Sequence, residues 1–537
     1  MPRWLVACLP VMLLLPPRGS THCELFPKSI CEQHTAFVPG YNLTGEGIDV
    51  TTMQRKGTYL VDTNRWLDPQ DTCVLCRNPL MDNQLQRLPL AGMDWRAHPS
   101  CHRQASSSVE HSDVDVAKVL AEEVKNNWIM KFSLPKEMQS VAKDQVVLVG
   151  SRSEMVSYAH EKSQKDRYSF VRHEVSCEHY RLSLLPRPSL LSPHFSHDVL
   201  NLPSKYDPDE YQHFIDTYGT HYISHAQLGG RVRSLLAVRT CAANLAGITA
   251  SDIKDCLSLG ASLGPEWMSH SLSSKCHEVR RNQAKGVFRE AYGKQRIEVV
   301  GGSTQAELFA EPGEILLFSE WMENIKTHPG VISYSLLPVH TLVDRGDPRR
   351  EILKEAVRDY IAQKALWKNC TNQCPDGSYP TSKNPCQCLC RPDAFTDTTC
   401  CPRERGLAHL LVHIQRASGL PGKFFYGSDA YVKVFFQGHE RRTIVIPHNN
   451  DPVWTQNLDF GPVKLTGHNP IMVEVWDSMH WGHHKHLATC YEDLVAGGTV
   501  WKTCNVGKGH MVYYYVLKCG PNLGGPSCHD YVPQKQR

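Results

Sequence analysis

The chain has 537 residues, of which 41% are hydrophobic and 21% charged. That is apolar material for several cores, about three or four domains at roughly 100–200 residues each. The 58 Lys and Arg stand against 55 Asp and Glu, a net charge of +3, too small to imply nucleic acid, whose binders carry a concentrated basic face, and no such partner is expected.

Taken in chain order, residues 1–21 read as a secretory signal peptide. Arg3 precedes an apolar run from Leu5 to Leu15, and Gly19, Ser20 and Thr21 offer small residues for a cut. The run is too short to span a bilayer, and no later stretch reaches the roughly 18 uninterrupted apolar residues of a helical span. Removing Cys8 with the signal leaves 20 of the 21 cysteines, an even number that an oxidising compartment turns into disulfides. Cys73 and Cys76 form a C-x-x-C pair, read in a secreted chain as part of that framework. The sequons at Asn42 and Asn369 predict glycosylation and agree with secretion.

Residues 22–369 mix helix and strand without a repeat. In "VDVAKVLAEEVKNNW" (114–128), Val116, Val119, Leu120 and Val124 recur at helical spacing among polar residues. Strands are expected at "VSCEHYRLSLL", "GGRVRSLLAVRT" and "QRIEVVGG", and a helix at 349–367. Residues 370–401 hold seven cysteines in a segment too short for a core, so the segment must be stapled. Nine mature cysteines precede it and four follow. If the last four pair among themselves, at least one bridge must join the small module to the large domain. Residues 402–520 carry strand runs separated by turns, as in an antiparallel sandwich. The tail, 521–537, ends in polar residues, and no lipid-anchor signal is expected there.

The segment "YGTHYISHAQLGG" (218–230) resembles the signature of the membrane-attack-complex/perforin family through Tyr218, Gly219, Thr220, His221 and Tyr222, with Gly229 and Gly230 entering a strand. Glycine tolerates backbone geometry that other residues resist, as a bent strand would need. "CQCLC", "CCPRERGLAHL" and "DAYVKVFF" extend the resemblance over nearly the whole mature chain. It implies an α+β fold: a bent central antiparallel sheet flanked by helical clusters, then an epidermal-growth-factor-like module, then a C2-like β-sandwich. It also implies secretion, storage in secretory granules, assembly into a homo-oligomeric ring on a target-cell membrane, and unfurling of two helical clusters into the hairpins of a giant β-barrel.

The residues can be tested against that demand. Each barrel strand needs about 9–11 residues with alternating faces. In "LSLGASLG", Leu257, Leu259, Ala261 and Leu263 share one face, and Ser258, Gly260, Ser262 and Gly264 the other. Ala284, Val287, Phe288 and Ala291 have helical spacing, as a compact soluble form requires. In the first cluster, about 133–172, "SEMVSYAHEK" places Met155, Ser157 and Ala159 in weaker alternation. Gly260–Gly264 also matches G-x-S-x-G, but Ser262 lies inside the alternating run and Pro265 follows the motif, which is no nucleophile elbow. With no H-E-x-x-H either, no enzyme is expected.

In the C2-like part, resemblance places Asp429 and Asp477 at calcium-ligand positions. Lys423 stands where an acidic residue is expected, and Met479, His483, His484 and Lys485 occupy the third loop. Two carboxylates are few for an ion that takes six to eight oxygens. Three readings stand for the imidazoles of 480–486: a solvated loop, a pH-dependent membrane contact, or ligands for zinc or copper. Phe424, Phe425, Tyr426 and Trp481 would supply apolar docking at the membrane interface. The competing reading of the whole is a non-lytic secreted membrane-binding protein that keeps the fold without insertion.

Overall fold

The computed structural model describes residues 23–126, 150–184, 190–263, 295–302, 315–365, 374, 377–382, 387–422, 427–478 and 484–534. The first part runs β1 (Cys23–Pro27), β2 (Glu46–Asp49), β3 (Gln54–Tyr59), β4 (Thr72–Asn78), β5 (Gln84–Leu88), β6 (Gly92–Glu110), α1 (Asp113–Ala121), α2 (Glu154–Lys165), β7 (Tyr168–Leu184), α3 (Pro193–Asn201), α4 (Pro208–Tyr218), β8 (His221–Arg239), α5 (Thr240–Leu245), α6 (Ala250–Leu263), β9 (Arg296–Val300), α7 (Ile315–Thr327), β10 (Gly330–Pro338) and α8 (Arg349–Lys364). The fold is mixed α+β around one antiparallel sheet, ordered β3-β2-β8-β7-β6, with β9 and β10 both pairing β8.

Strand β8 carries two environments along its length. Its first half, with β10, α3, α4 and α8, forms the main core around Tyr222, Ile223, Leu228, Phe195, Phe214 and Leu353. Its second half is covered on both faces by small clusters. Leu235 and Ala237 pack with Phe170 of β7 and with Val116, Leu120, Met155 and Tyr158 of α1 and α2. Leu236 and Val238 pack with Val171 and with Ala242, Ile253 and Cys256 of α5 and α6. Successive strand residues point to opposite faces, so the two helical clusters sit on opposite sides of the sheet.

Helix α1 is shorter than the 114–128 expected. Its N-cap Ser112 accepts from the Asp115 amide at 3.1 Å, and the helix ends at Ala121. The chain beyond leaves the helix because the backbone of Glu123 and Lys125 bonds to Tyr334 of β10. The run of weaker alternation near residue 155 is also helical in this form. Met155, Val156, Tyr158 and Ala159 are buried together on α2, a helical face starting from the Ser153 cap. The run from Leu257 to Leu263 lies in helix α6, and Ser262 with it, so G-x-S-x-G forms no strand–turn elbow here.

Gly229 and Gly230 adopt no left-handed backbone; space explains them instead. A Cβ on Gly229 would collide with the Cys177 carbonyl oxygen, and one on Gly230 would lie 2.5 Å from Cζ2 of Trp321 on α7. The glycines let neighbouring backbone and a helix approach the strand closely.

Cysteine pairing separates the modules and ties them together. Cys23–Cys76 and Cys31–Cys73 split the C-x-x-C pair between two bridges. Cys374–Cys388 and Cys390–Cys400 staple the small module around strands β11 (Ser378–Pro380) and β12 (Cys388–Cys390). Cys241–Cys401 is the bridge from that module to the large domain. The last four cysteines pair as Cys490–Cys504 and Cys519–Cys528.

The C-terminal sandwich has two four-stranded sheets. One is ordered β16 (Val453–Lys464), β13 (Leu407–Ser418), β20 (Gly509–Cys519), β19 (Thr499–Val506). The other is ordered β15 (His439–Arg442), β14 (Ala430–Phe436), β17 (Pro470–Ser478), β18 (His484–Asp493). The tail returns to the large domain, where the Tyr531 hydroxyl donates to buried Asp166 at 2.6 Å.

Replacing Gly229 with alanine should lower stability by about 1–3 kcal/mol, since backbone cannot yield as a flexible side chain can. Thermal unfolding checks this, with Gly467→Ala as control for the glycine change, because nothing lies within 4 Å of a Cβ there and its backbone is not left-handed.

Candidate membrane-docking and insertion sites

The signature residues fasten the sheet. Tyr218 ends α4 and donates its hydroxyl to Asp198 at 2.6 Å. Gly219 caps the helix at φ 81°, where a side chain would be strained, and its Cβ would lie 2.5 Å from the Ile48 carbonyl oxygen. Thr220 accepts from the Val50 amide at 3.0 Å and donates to Ile48 O at 3.2 Å, stitching β2 to β8. His221 contacts the Thr220 hydroxyl at 2.9 Å, and Tyr222 is buried in the main core. These residues position the sheet and offer no exposed chemistry.

The chemistry lies farther along β8. Arg231 and Arg233 are buried on the α1 face. Glu123 receives both, at 2.9 Å from Arg231 and 2.6 Å from Arg233. Arg233 also reaches Glu174 of β7 at 2.8 Å, Arg231 reaches Glu298 of β9 at 3.3 Å, and Arg172 reaches Glu174 at 2.9 Å. Burial works against the charge on Arg233, but Glu123, Glu174 and Glu298 outweigh it and hold the guanidinium above its ordinary range. Three guanidinium groups and three carboxylates so balance beside a polar cavity of about 330 Å³. Removing Glu123 or Glu174 would leave the buried Arg233 undercompensated. Sequence reading missed this network, whose only trace was arginine at two alternating positions, 231 and 233, of one strand.

On the other face, His173 of β7 shares a 2.7 Å hydrogen bond with the Ser107 hydroxyl. Burial, aided by Arg172 and by Lys254 of α6, pushes its imidazole down to about 4.

At one end of the sandwich, Asp429 and Asp477 do come together. The Asp429 amide donates to Asp477 Oδ1 at 2.8 Å, and the His448 amide donates to Asp429 Oδ1 at 2.8 Å. The His448 ring stands 3.3 Å from the same oxygen. The loop before β16, missed in the sequence, adds Asn450, which accepts from the Ser428 amide at 2.9 Å, and Asp451, which accepts from Gly419 at 2.8 Å. Each of these three carboxylates is thus engaged with a backbone amide, and Lys485 is the cross-strand partner of Asp477. Among the described residues no group of three His, Cys, Asp or Glu is placed to hold a metal ion. A C2 fold suggests calcium, but no site for it is assembled among the described residues, and His480 and His483 lie outside them. His484 packs edge-on to Tyr431 and His486 to Trp476, at 5.6 and 5.1 Å between ring centroids.

Phe424, Phe425, Tyr426, Trp481, His480 and His483 lie outside the described residues, as does Asn369. Asn42 is half-buried, and Thr44 of its sequon is buried. The side chains of Leu257, Leu259, Ala261 and Leu263 are likewise outside the description, although their backbone is helical.

Comparison with known proteins bears on all of this. Residues 36–370 match the MAC/Perforin domain and residues 408–502 the C2 domain. The chain is 38% identical over 523 residues to Perforin-1 of Homo sapiens, covering 95% of this chain and 93% of that one. This chain belongs to the membrane-attack-complex/perforin family. Perforin-1 of Mus musculus is 37% identical, covering 98% of this chain and 96% of its own. Complement component C6 of Bos taurus is 27% identical over 46% of this chain and 27% of its own length. The family consists of non-enzymatic pore formers, which accounts for a β8 strand rich in structural contacts and lacking a catalytic constellation. Membrane binding and oligomerisation follow at family level, and the many disulfides are consistent with secretion.

Two measurements test this geometry. Asp477→Ala strands the Asp429 amide and should destabilise the sandwich by about 1–3 kcal/mol, read by calorimetry. For His173, the unfolded imidazole titrates at 6.5 and the folded one at about 4. Between those values the unfolded state binds the extra proton, so stability falls as pH drops through the window. The loss approaches the order of 3 kcal/mol at the acid end. Urea unfolding at pH 7.5 and 4.5 should show it, and His173→Gln should reduce the difference.

Proposed function

We propose that this chain is a secreted pore former. It docks on a target-cell membrane through the loop end of its C2 domain, assembles with copies of itself into a ring, and inserts two β-hairpins per subunit into a transmembrane barrel. Storage in secretory granules before release belongs to the same reading, as do glycans on Asn42 and Asn369.

One observation carries the insertion step. Each helical cluster is the connection between two strands already in register in the sheet. Glu110 of β6 opposes Phe170 of β7, with 57 residues separating β6 from β7. Leu235 of β8 opposes Arg296 of β9, with 56 residues separating β8 from β9. A spanning hairpin needs about 9–11 residues per strand, so either connection can supply one simply by lengthening an existing pair. Leu257, Leu259, Ala261 and Leu263 would form part of the lipid-facing row. The small clusters over β8 hold the helices less firmly than the main core holds its own. An isolated open sheet edge is excluded from lipid because unpaired amides cost several kcal/mol each, which is why insertion requires a closed ring.

Docking rests on Phe424, Phe425, Tyr426 and Trp481. Burying a large apolar side chain is worth about 1.5–3 kcal/mol. Replacing Phe424, Phe425 and Trp481 with alanine should therefore abolish most co-sedimentation with liposomes while circular dichroism stays unchanged. Because Asp429 and Asp477 are engaged internally, a chelator should reduce docking only in part.

Liposome leakage with electron microscopy tests the whole reading. Rings accompanied by dye release are expected. Bound monomers without release would favour the non-lytic alternative. An Ile253→Cys/Val171→Cys bridge, which pins α6 to β7, should block release until reduced and leave docking intact.

A further inference from the structure

Each sheet of the C-terminal sandwich buries one face, and alternation turns the other outward. In the sheet β16-β13-β20-β19, Val412, Ile414, Tyr513 and Tyr515 are buried in the sandwich core. Their neighbours form the outer face. Across its middle, Trp501 of β19, Tyr514 of β20 and His413 of β13 stand in one cross-strand row. The Trp501 and Tyr514 ring centroids are 4.7 Å apart, and those of Tyr514 and His413 are 4.6 Å apart. Asn457 of β16 closes the row with a 2.6 Å hydrogen bond to the His413 ring. Leu411 faces Val516 on one side of the row, and Arg416 faces Val512 on the other. Val453 of β16 lies across from Arg416. Trp501 is 54% exposed and Val453 56%, so large apolar groups are left open to solvent here. The charge on this face is one-sided. Arg416, His510 and Lys518 are exposed, and among the described residues none of the three is paired with a carboxylate. Asp459, the carboxylate in these rows, is met by His409 at 3.2 Å.

We propose that the outer face of this sheet is a second membrane contact: it takes an anionic phospholipid surface without calcium, so that the sandwich docks on its side as well as by its loop end. The inference rests on the membrane-docking part of the reading above. The occupant follows from the chemistry of the face. Indole, phenol and imidazole each join an apolar body to a polar edge, the combination that settles at the boundary between acyl chains and headgroups. Arg416, Lys518 and His510 surround them with positive charge, which anionic headgroups complement directly and without a bridging ion. The face also runs into the loop end. Ser418, the last residue of β13, pairs with His510, and Gly419 beyond it donates to Asp451 in the loop whose His448 amide donates to Asp429. A sandwich tilted from its loops toward this sheet therefore meets the bilayer over one continuous surface.

Two measurements in chelator test the face, both with vesicles of equal parts phosphatidylcholine and phosphatidylserine. In the first, Thr499→Cys on this face and Glu440→Cys on the other sheet each carry an environment-sensitive fluorophore. Position 499 lies at the end of β19 away from the loops, so docking by the loops alone leaves it in water. Emission from 499 should shift toward that of lipid, and emission from 440 should stay as in water. In the second, Arg416→Gln/Lys518→Gln should weaken co-sedimentation about tenfold with thermal unfolding unchanged, and Trp501→Ala should weaken it by a similar factor. Protein that sediments with an unshifted 499 probe would overturn the inference, as would a charge variant that binds like wild type. A 499 shift that appears without vesicles and grows with protein concentration would give the face to a second copy and overturn it too. Wild-type protein that binds only when calcium is present removes this face and leaves docking by the loops. Wild-type protein that binds no vesicle, with or without calcium, removes the docking reading itself.

Discussion

Strand β8 must satisfy two faces and two edges at once, and the period-two alternation of its side chains decides how. Along its second half, Arg231, Arg233, Leu235 and Ala237 point to one side and Val232, Leu236 and Val238 to the other. The first set receives α1 and α2, with the carboxylate of Glu123. The second receives α5, α6 and α7, with Trp321 and Ile325 pressed over Gly230. One edge carries β7 for most of its length, and the other is divided between β10 and β9. The described helices of two connections of nearly equal length are thereby held on opposite faces of one sheet.

The molecule is unevenly bound together, and the unevenness follows function. The lower half of the sheet has a large continuous core sealed by Tyr180, Tyr211, Tyr222 and Trp95. The signature residues sit there, and their bonds keep β2, α4 and β8 as one body. The upper half relies on small apolar clusters and on the buried Arg231 and Arg233 with the carboxylates that balance them. Buried ion pairs add little net stability but penalise any partial disruption, which suits a part that must stay closed or open as a unit. The Cys241–Cys401 bridge and the Tyr531–Asp166 contact tie the C-terminal modules to the same upper region. Under the proposed pore-forming reading, movement of the sandwich on a membrane would be transmitted to these helices through those two links.

Much of this was legible in the residues. The fold class and the order of modules followed from strand alternation, cysteine density and the Tyr218–Tyr222 signature, and cysteine parity required the inter-module bridge that Cys241 and Cys401 make. What escaped was tertiary. Residues 122–128 fit a helical pattern, but β10 claims their backbone, and no local periodicity records a distant edge. Met155 and Ala159 fit both alternate strand positions and one helix face, and the helix of this form is visible only once the burial of Val156 and Tyr158 is seen. Gly229 and Gly230 suggested unusual dihedrals where the reason is close approach. The loop from His448 to Asp451 carried no motif, although it completes the end of the sandwich where Asp429 and Asp477 meet.

The central claim is that residues now helical in α6 become a strand in lipid. Single cysteines placed from 257 to 263, each labelled with an environment-sensitive fluorophore, report this directly. On liposomes the account predicts a period of two: emission characteristic of lipid at 257, 259, 261 and 263, and of water at 258, 260 and 262. A helical period retained after binding, or no change from the soluble protein while leakage proceeds, would contradict it.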